Sequence, residues 1–446
     1  MMKSPKNSSE STTMKISKLP LLLFVAFCIT LYVSYLRWSP GTQIEKSGPN
    51  LKSVYGSERV SAANEVFYGI MFDAGSTGTR VHVYKFSQTS SGAPHLEHEL
   101  FKAIKPGLSE YADEPHKCTA GIQELLDIAI QEIPEDLRRS TPLVLKATAG
   151  LRLLPEDKAQ KLLDTVKNIF QSSPFLVGKE SVSIMDGTDE GIFAWITVNF
   201  LTGSLTNPSA KLAGMLDLGG GSTQITFYPY EKTTFPSAPA GYITNFQLFN
   251  RTFHLYSHSY LGLGLMSARL QIMGGVEGKP LPSNEELVTA CVTPGFVTEF
   301  NHAGITYKVK GQNDVKSLYE SCYKSVGQKL AGKVNRAKEV EDLFMYAFSY
   351  YFDRAEDANI IDPRVGGFLK LSDFEMAAKK ECARMEKTPG SRPYLCMDLT
   401  YITQLLKDLG FSSDKRLKLV KKINDVETSW ALGATFYYMD IMKNSI

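Results

Sequence analysis

Two stretches of the chain repeat one pattern of apolar and small polar positions. Residues 67–84 and 212–227 each begin with an apolar strand that ends in an aspartate, Asp73 or Asp217. A short turn of Gly, Ser and Thr follows, and a second strand rich in β-branched or aromatic residues comes after it. Each stretch therefore predicts a tight β-hairpin. Because 144 positions separate Asp73 from Asp217, the repeat indicates a duplicated half-molecule.

Two further apolar strands lead into helices between the hairpins. The run 142–147 stops at Thr148, and a helix with apolar positions on one face follows. The run 181–185 leads into a helix whose first turn contains Asp189 and Glu190. The helix dipole there favours an ionised carboxylate, which is the form that a general base needs. The alternative is that these two acids only satisfy the start of the helix.

The hairpin tips have the composition of phosphate-binding loops. Glycine lets backbone N–H groups converge on an anion, and the Ser and Thr hydroxyls add donors. The aspartate at the end of each first strand can hold a hydrated divalent cation beside the phosphates. A single hairpin of this kind is often only a turn, whereas two equivalent ones predict a cleft that holds a phosphorylated ligand between two half-molecules.

Composition limits the class of partner. Of the 446 residues, 43% are hydrophobic and 22% are charged, as expected for a chain that folds into two or three domains. The formal net charge is +2, and no basic block is long enough to neutralise a run of phosphates. We therefore expect no nucleic-acid partner. Small phosphorylated ligands stay compatible with this charge, because backbone amides and a metal ion bind them.

The N-terminus predicts a membrane anchor. Residues 19–36 form an apolar run of about 18 residues, which is near the lower limit for spanning a bilayer. Four lysines precede the run and basic residues are sparser after it, so residues 1–18 are predicted to be a cytosolic tail. Residues 37–65 are predicted to be a flexible stem. A cleaved signal peptide is the less favoured alternative, because no small-x-small cleavage pattern follows the run.

The body of the chain is then predicted to be lumenal or extracellular. The triplet at Asn250 is a glycosylation sequon that a lumenal domain can use. Cys28 lies in the apolar run, and the five remaining cysteines cannot all pair within the chain.

Five segments, taken together and in order, resemble the conserved regions of the ectonucleoside triphosphate diphosphohydrolases, the GDA1/CD39-type apyrase family. They are DAGSTGTR (73–80), ATAGLR (147–152), DGTDEG (186–191), DLGGGSTQ (217–224) and ETSWALG (427–433). The single predicted anchor is similar to that of the Golgi and secreted members. The resemblance implies an actin-like, RNase H-type α/β fold that is duplicated into two lobes, with the active site in the interlobe cleft.

The resemblance also implies an activity. Members of this kind hydrolyse nucleoside diphosphates of the GDP, UDP and IDP type with Ca²⁺ or Mg²⁺, and triphosphates more weakly. On this sequence Glu190 would deprotonate the attacking water, and Ser222 and Gln224 would position it. Thr148 would support the reacting centre, and Asp73 and Asp217 would bind the metal through its waters. Residues at both hairpin tips would cradle the phosphates: Ser76, Thr77, Gly78, Gly219, Gly220, Gly221 and Ser222.

Base recognition and the disulfides follow from the same resemblance. The base would stack between Tyr350 and Tyr401, although aromatic runs of this kind are more often core. The implied disulfide pairs are Cys291 with Cys322 and Cys382 with Cys396. Cys118 is left over; it either joins two chains or stays free and inert, and we favour the second, with the protein a monomer.

The implied organisation places residues 66–186 and 424–446 in lobe I and residues 187–423 in lobe II. We expect a single-pass Golgi membrane protein with a lumenal catalytic region, or a released secreted form. The main alternative is an actin-like nucleotide-binding switch without significant turnover, and a kinase or an exopolyphosphatase on the same fold is a third. Glu190 and Gln224 favour hydrolysis, because phosphate capture alone requires neither residue.

Overall fold

The first of two large sheets contains the first predicted hairpin. The structure is a computed structural model that describes residues 65–88, 94–248 and 251–443. The strand order is β3–β2–β1–β4–β5, with β1 to β3 antiparallel and β4 and β5 parallel to β1. The strands are β1 (Glu65–Ala74), β2 (Thr79–Gln88), β3 (His95–Ile104), β4 (Leu143–Ala147) and β5 (Val182–Ile184).

Helices pack against this sheet around one apolar core. They are α1 (Thr119–Glu132), α2 (Glu135–Arg138), α3 (Ala149–Arg152) and α4 (Glu156–Gln171), with short 3₁₀ helices at Leu108–Tyr111 and Pro115–Cys118. The apolar face predicted for α4 is confirmed, since its five buried residues recur at helical spacing: Ala159, Leu162, Leu163, Val166 and Phe170. These side chains share a core with β1, β2 and β4.

The second large sheet contains the second predicted hairpin. Its seven strands have the order β14–β15–β13–β6–β7–β9–β8. The strands are β6 (Gly214–Leu218), β7 (Ser222–Phe227), β8 (Ile243–Leu248), β9 (Arg251–Leu261), β13 (Met345–Ser349), β14 (Gly367–Lys370) and β15 (Arg416–Leu419). A separate three-stranded sheet, in the order β10–β12–β11, is formed by Leu287–Thr289, Ile305–Gly311 and Val297–His302.

The two large sheets are duplicates in topology. Without the outer strands β8 and β14, the second sheet has the order β9–β7–β6–β13–β15. In both sheets the central strand has an antiparallel hairpin partner on one side and two parallel strands on the other. The predicted duplication is therefore confirmed. The exact lobe boundaries stay a prediction.

The remaining helices connect and cover the second sheet. They are α5 (Gly187–Leu201), α6 (Thr234–Ser237), α7 (Leu265–Ile272), α8 (Leu318–Leu330), α9 (Tyr350–Asp357), α10 (Leu371–Lys387), α11 (Leu395–Leu409) and α12 (Ala431–Lys443). A 3₁₀ turn lies at Lys338–Glu341, and β16 (Lys422–Ile423) and β17 (Val426–Glu427) form a small hairpin before α12. α5 is apolar on every side, so it is buried, and it shares a core with α12, β1 and β6.

The cysteines pair as the family resemblance implied. Cys291 is bonded to Cys322 and Cys382 to Cys396, and both pairs are buried in the core of the second sheet. Cys118 is a buried free thiol, and its burial raises its pKa to about 11. A thiol that is buried and protonated is unreactive, which supports the inert alternative over a bond between chains.

Several sequence-based predictions concern residues outside the described ranges. The tail, the anchor, nearly all of the stem and the Asn250 sequon are among them. Within the described ranges, no helix combines the length and apolar character that crossing a membrane requires.

Candidate active site

The two hairpin tips close with the same backbone hydrogen bond. The Gly75 N–H donates to the Gly78 carbonyl over 3.1 Å, and the Gly219 N–H donates to the Ser222 carbonyl over 3.0 Å. Both residues of one bond are 144 positions from their counterparts in the other. The sequences of the two tips therefore align without insertion or deletion.

The side chains beside the tips differ at one paired position. Asp73 faces Arg80 across the first hairpin, and Asp217 faces Gln224 at the equivalent place in the second. Arg80 donates to the Asp73 carboxylate over 3.0 Å. Gln224 instead donates to hydroxyls, so Asp217 has no positively charged side chain beside it on its own hairpin.

The hairpins meet tip to tip. A Cβ added at Gly220 would collide with the Ser76 hydroxyl and would lie 2.9 Å from the Thr77 methyl carbon. A Cβ at Gly221 would lie 2.8 Å from the Ala149 Cβ. Real Cβ atoms do not approach so closely, so glycine at position 220 allows the tips to meet and glycine at position 221 allows the second tip to pack on Ala149 of α3.

The strand end at Thr148 forms another wall of the site. Thr148 is buried, its N–H donates to the Ala74 carbonyl over 3.2 Å, and it precedes α3. A Cβ at Gly150 would lie 2.9 Å from the Ser76 Cα, so α3 packs directly against the first tip. The carboxyl ends of β1 and β4 thus meet at this edge, where α/β sheets commonly bind ligands.

Glu190 lies in the first turn of α5, as the sequence predicts. Asp186 caps the helix by accepting a hydrogen bond from the Thr188 N–H over 2.7 Å. Because Asp186 already serves as the cap, Glu190 is not needed to satisfy the helix start. Its side chain is buried and forms an ion pair with Arg152 at the end of α3.

Burial opposes the ionised form of Glu190, which the helix dipole favours. Its pKa is raised to about 8, mainly by burial and in smaller part by the nearby Asp217 and Asp73, while Arg152 opposes the rise. The dipole contribution is about 0.3 to 1 kcal/mol, and removal from water outweighs it. The dipole therefore favours the ionised carboxylate only weakly, and Arg152 is the neighbouring side chain that favours its charged form.

A hydroxyl and amide cluster lies on the second hairpin. The Gln224 amide donates to the Ser222 Oγ over 2.8 Å and to the Ser259 Oγ over 2.9 Å. Arg152 approaches the Ser222 Oγ at 3.5 Å, which links this cluster to the Glu190 ion pair. The Gln224 Oε1 is buried and has no hydrogen-bond partner among the described residues, so it is an acceptor open to a ligand.

Two buried carboxylates provide a place for a cation. Burial raises the pKa of Asp73, which Arg80 opposes, and burial raises the pKa of Asp217 to about 6. The Oδ1 atom of each aspartate is buried and has no hydrogen-bond partner in the part of the chain that the structure describes. Within the described ranges no cluster of three or more His, Cys, Asp or Glu residues is arranged to hold a metal. The pair therefore fits a hydrated divalent cation that keeps most of its waters.

The two tyrosines proposed for base stacking have different environments. Tyr350 is half-buried at the start of α9, and the Arg354 guanidinium carbon lies 5.4 Å from its ring centre. Tyr401 is only 1% exposed, and its hydroxyl donates to the Leu263 carbonyl. The assignment of Tyr401 is therefore wrong, because its ring is enclosed in the core of the second sheet and offers no face to a ligand.

Sequence reasoning did not assign roles to three polar residues of this region. Arg152 and Arg80 end two of the five motifs, and that position was a usable signal. Ser259 lies outside the motifs on β9, and its register opposite Gln224 becomes apparent only when the strands pair. Arg152 contacts Glu190, Arg80 contacts Asp73, and Ser259 accepts a hydrogen bond from the Gln224 amide.

Known proteins are similar to this chain over most of its length. The family profile described as GDA1/CD39 (nucleoside phosphatase) matches residues 59–348 and 369–446. Ectonucleoside triphosphate diphosphohydrolase 6 of Mus musculus is 54% identical over 441 residues, covering 97% of this chain and 97% of that protein. The Homo sapiens protein named nucleoside diphosphate phosphatase ENTPD5 is 49% identical over 382 residues, covering 85% of this chain and 89% of that one.

A solved structure shares the fold at low sequence identity. It is a crystal structure of nucleoside triphosphate hydrolases from Neospora caninum, with a TM-score of 0.62 and 14% identity over 94% of this chain and 97% of that one. The predicted duplicated, actin-like fold is thus confirmed. The matched family is generally dependent on a divalent cation. With the profile spanning most of the chain and relatives near half identical, this chain belongs to the GDA1/CD39 (nucleoside phosphatase) family of hydrolases.

Proposed function

We propose that this protein hydrolyses nucleoside diphosphates of the GDP, UDP and IDP type to the monophosphate and phosphate, and triphosphates more slowly. Two of its relatives are named as a nucleoside triphosphate diphosphohydrolase and a nucleoside diphosphate phosphatase, which supports this substrate class. The observation that carries the proposal is the buried Glu190 next to the Ser222 and Gln224 cluster, where the two glycine-rich tips meet.

The phosphates are bound between the tips. Candidate donors come from both hairpins: the hydroxyls of Ser76 and Thr77 and the backbone N–H groups of residues 76–78 and 220–222. Backbone donors in converging loops bind an anion without net positive charge, which agrees with the low charge of the chain. Thr148, at the end of β4, adds a hydroxyl to the same edge.

Asp73 and Asp217 hold the cation, which we propose is Ca²⁺ or Mg²⁺, because carboxylate and water oxygens are the ligands that these hard ions prefer. When bound, the cation supplies charge neutralisation for the phosphate oxygens. The unpartnered Oδ1 atoms of both aspartates support this assignment. Burial raises the pKa of Asp73, and Arg80 opposes this rise and so favours the charged form.

The attacking water is held by three side chains. The Ser222 Oγ already accepts from Gln224, so its own hydrogen is free to donate to the water oxygen. The Gln224 Oε1 accepts one water hydrogen, and the Glu190 carboxylate accepts the other as the water oxygen attacks the terminal phosphorus. The bond from phosphorus to the bridging oxygen breaks, and the monophosphate leaves with that oxygen. Arg152 favours the ionised form of Glu190 that this step requires.

Tyr350 is the proposed stacking surface for the nucleobase. It follows β13, whose last residue Ser349 pairs with Leu218 directly after Asp217. The base and phosphate sites are therefore adjacent along two neighbouring strands.

We further propose that the protein is a monomer in the Golgi membrane, with its catalytic region lumenal and Asn250 glycosylated, or a released secreted form. The two buried disulfides support an oxidising compartment. Protease protection of intact microsomes, with a deglycosylation shift, checks this orientation. Exposure of the region around Asn250 to the cytosol would contradict it.

The activity is tested by phosphate release from the full chain, expressed in a eukaryotic secretory host, with GDP, UDP, ATP and AMP. We expect the diphosphates to give the highest kcat/KM, EDTA to abolish turnover, and Ca²⁺ or Mg²⁺ to restore it. Full activity in EDTA would contradict the cation site, and a higher kcat/KM for ATP would contradict the diphosphate preference.

A further inference from the structure

A buried ion cluster joins three helices behind the proposed base site. Asp398 on α11 is fully buried, and Arg269 on α7 donates to it from two nitrogens, with the Nε to Oδ1 distance 2.7 Å. Arg354 on α9 reaches the same carboxylate at 3.4 Å. Burying two guanidinium groups and a carboxylate has a large desolvation cost, so a cluster of this kind is weak evidence for stability and a reason to look for another role.

One arm of the cluster leads to the second phosphate hairpin. α7, which carries Arg269, begins next to the hairpin tip: the Leu265 N–H donates to the Gly219 carbonyl over 2.9 Å and the Met266 N–H donates to the Gly220 carbonyl over 2.9 Å. The position of Arg269 is therefore set by the tip that we assign to the phosphates.

The other arm leads to the base site. Arg354 lies one helical turn after Tyr350, and its guanidinium covers the Tyr350 ring at 5.4 Å from the ring centre. Asp357 forms an ion pair with the same guanidinium at 2.8 Å. Ser349, directly before Tyr350, has a φ of 58°, which is unusual for a non-glycine residue and turns the chain sharply from β13 into α9.

We propose that Asp398 is a positioning residue that sets the place of the nucleobase relative to the phosphates. It acts through Arg269, which is tied to the phosphate hairpin, and through Arg354, which supports Tyr350. The inference rests on the proposed function in one respect, namely that Tyr350 contacts the base. It adds a residue that touches neither substrate nor cation and that determines how strongly the base contributes to binding.

The test compares a substrate with a base to one without. The full chain and its D398N and R354Q variants are assayed with UDP and with methyl diphosphate, which has the same phosphates and no base. We expect each variant to raise the KM for UDP about tenfold with kcat nearly unchanged, because only ground-state binding of the base is lost. The kcat/KM for methyl diphosphate should stay that of the parent. D398E, which keeps the charge, should recover part of the loss.

Two controls make the result specific. R384Q removes an arginine from the ion pair with Glu381 on α10, outside the cluster, and should change neither substrate. Y350A reports the base contact itself. Melting temperatures are recorded for all variants, and if D398N does not fold, the partly exposed R354Q decides the test.

The possible failures are distinguishable. Equal losses for UDP and methyl diphosphate in D398N and R354Q would show a general structural role and overturn the inference. Unchanged kinetics in both variants, with a raised UDP KM in Y350A, would overturn it and leave the base site intact. If Y350A also has no effect on UDP, the base assignment and this inference fail together, while phosphate release from both substrates still supports hydrolysis.

Discussion

The two hairpins have the same backbone hydrogen-bond pattern but different side chains. Ser76 in the first is equivalent to Gly220 in the second, and these two positions face each other across the cleft. A duplicated loop that meets its own copy has room there for a single side chain, because interiors are packed without spare volume. The duplication therefore had to become asymmetric where the copies touch.

The charged positions differ in the same way. The first hairpin pairs Asp73 with Arg80, whereas the second has Gln224 at the position of Arg80. The neutral Gln224 amide donates to the Ser222 hydroxyl. Arg152 contacts the same hydroxyl and forms the ion pair with Glu190. We infer that the first hairpin balances the charge of the bound phosphates and cation, whereas the second positions the attacking water. Hairpins with equivalent backbones therefore have different chemical roles.

The largest expected effect comes from the carboxylate that belongs to neither hairpin. E190Q should lower kcat by about 10² to 10⁴, because the base is lost while both tips remain. Binding of GDP, measured by calorimetry, should be little changed, and so should the melting temperature. D189N is the matched control in the same helical turn and should stay within a few-fold of the parent. Turnover by E190Q close to that of the parent would place the base elsewhere.

The contact between the tips predicts the next largest effect. G220A places a methyl group against Ser76 and Thr77, and overpacking of this kind typically costs about 1 to 3 kcal/mol, or roughly 5- to 150-fold if it all falls on kcat/KM. G367A on the outer strand β14 is the control, since its Cβ would meet only ordinary contacts. If G220A and G367A are equally active, close contact between the two tips is not required for activity.

The pH profile tests the link between Arg152 and Glu190. A general base must be ionised, so kcat/KM should rise with pH along an acid limb whose midpoint lies well above 4.5, because burial raises the pKa of Glu190 to about 8. Since Arg152 lowers this pKa, R152Q should move the limb to higher pH, with a larger loss at pH 6 than at pH 9. K158Q, which breaks the exposed pair with Asp113, should leave the profile in place. An unmoved limb in R152Q would contradict the link.

The smallest effect is expected from making the hairpins alike. R80Q gives the first hairpin the residue of the second, and the pKa of Asp73 should rise because Arg80 lowers it. Partly exposed ion pairs contribute about 1 kcal/mol or less, so the change should be roughly fivefold or smaller. The measurement is the half-saturating Mg²⁺ concentration at pH 6 relative to pH 8. This ratio should increase, and an unchanged ratio would argue against Asp73 as a cation site.

Local pattern was sufficient for the parts of the site that lie within one segment. The hairpins, the strand end at Thr148 and the helix start at Glu190 each follow from a run of apolar residues that stops at small polar ones. The duplication was visible because the repeat has no insertion between Asp73 and Arg80 or between Asp217 and Gln224.

Features that depend on long-range contacts were not accessible in this way. Tyr401 looked like a ligand-stacking residue, but its exposure depends on how α11 packs, and it lies in the core. The ion pair of Arg152 with Glu190 joins residues 38 positions apart, and the Arg269–Asp398 pair spans 129. The charge of Glu190 also depends on burial, which a helix-dipole argument does not include.

The central claim is that the terminal phosphates lie between the two tips, with the attacking water at Glu190. The most direct test is a crystal structure of the E190Q variant with GDP and Mg²⁺. We predict the β-phosphate in contact with residues 76–78 and with residues 219–222, the cation beside Asp73 and Asp217, and a water within hydrogen-bond distance of Gln224 and of residue 190. A β-phosphate that contacts one hairpin only, or that binds outside the cleft, would contradict the account.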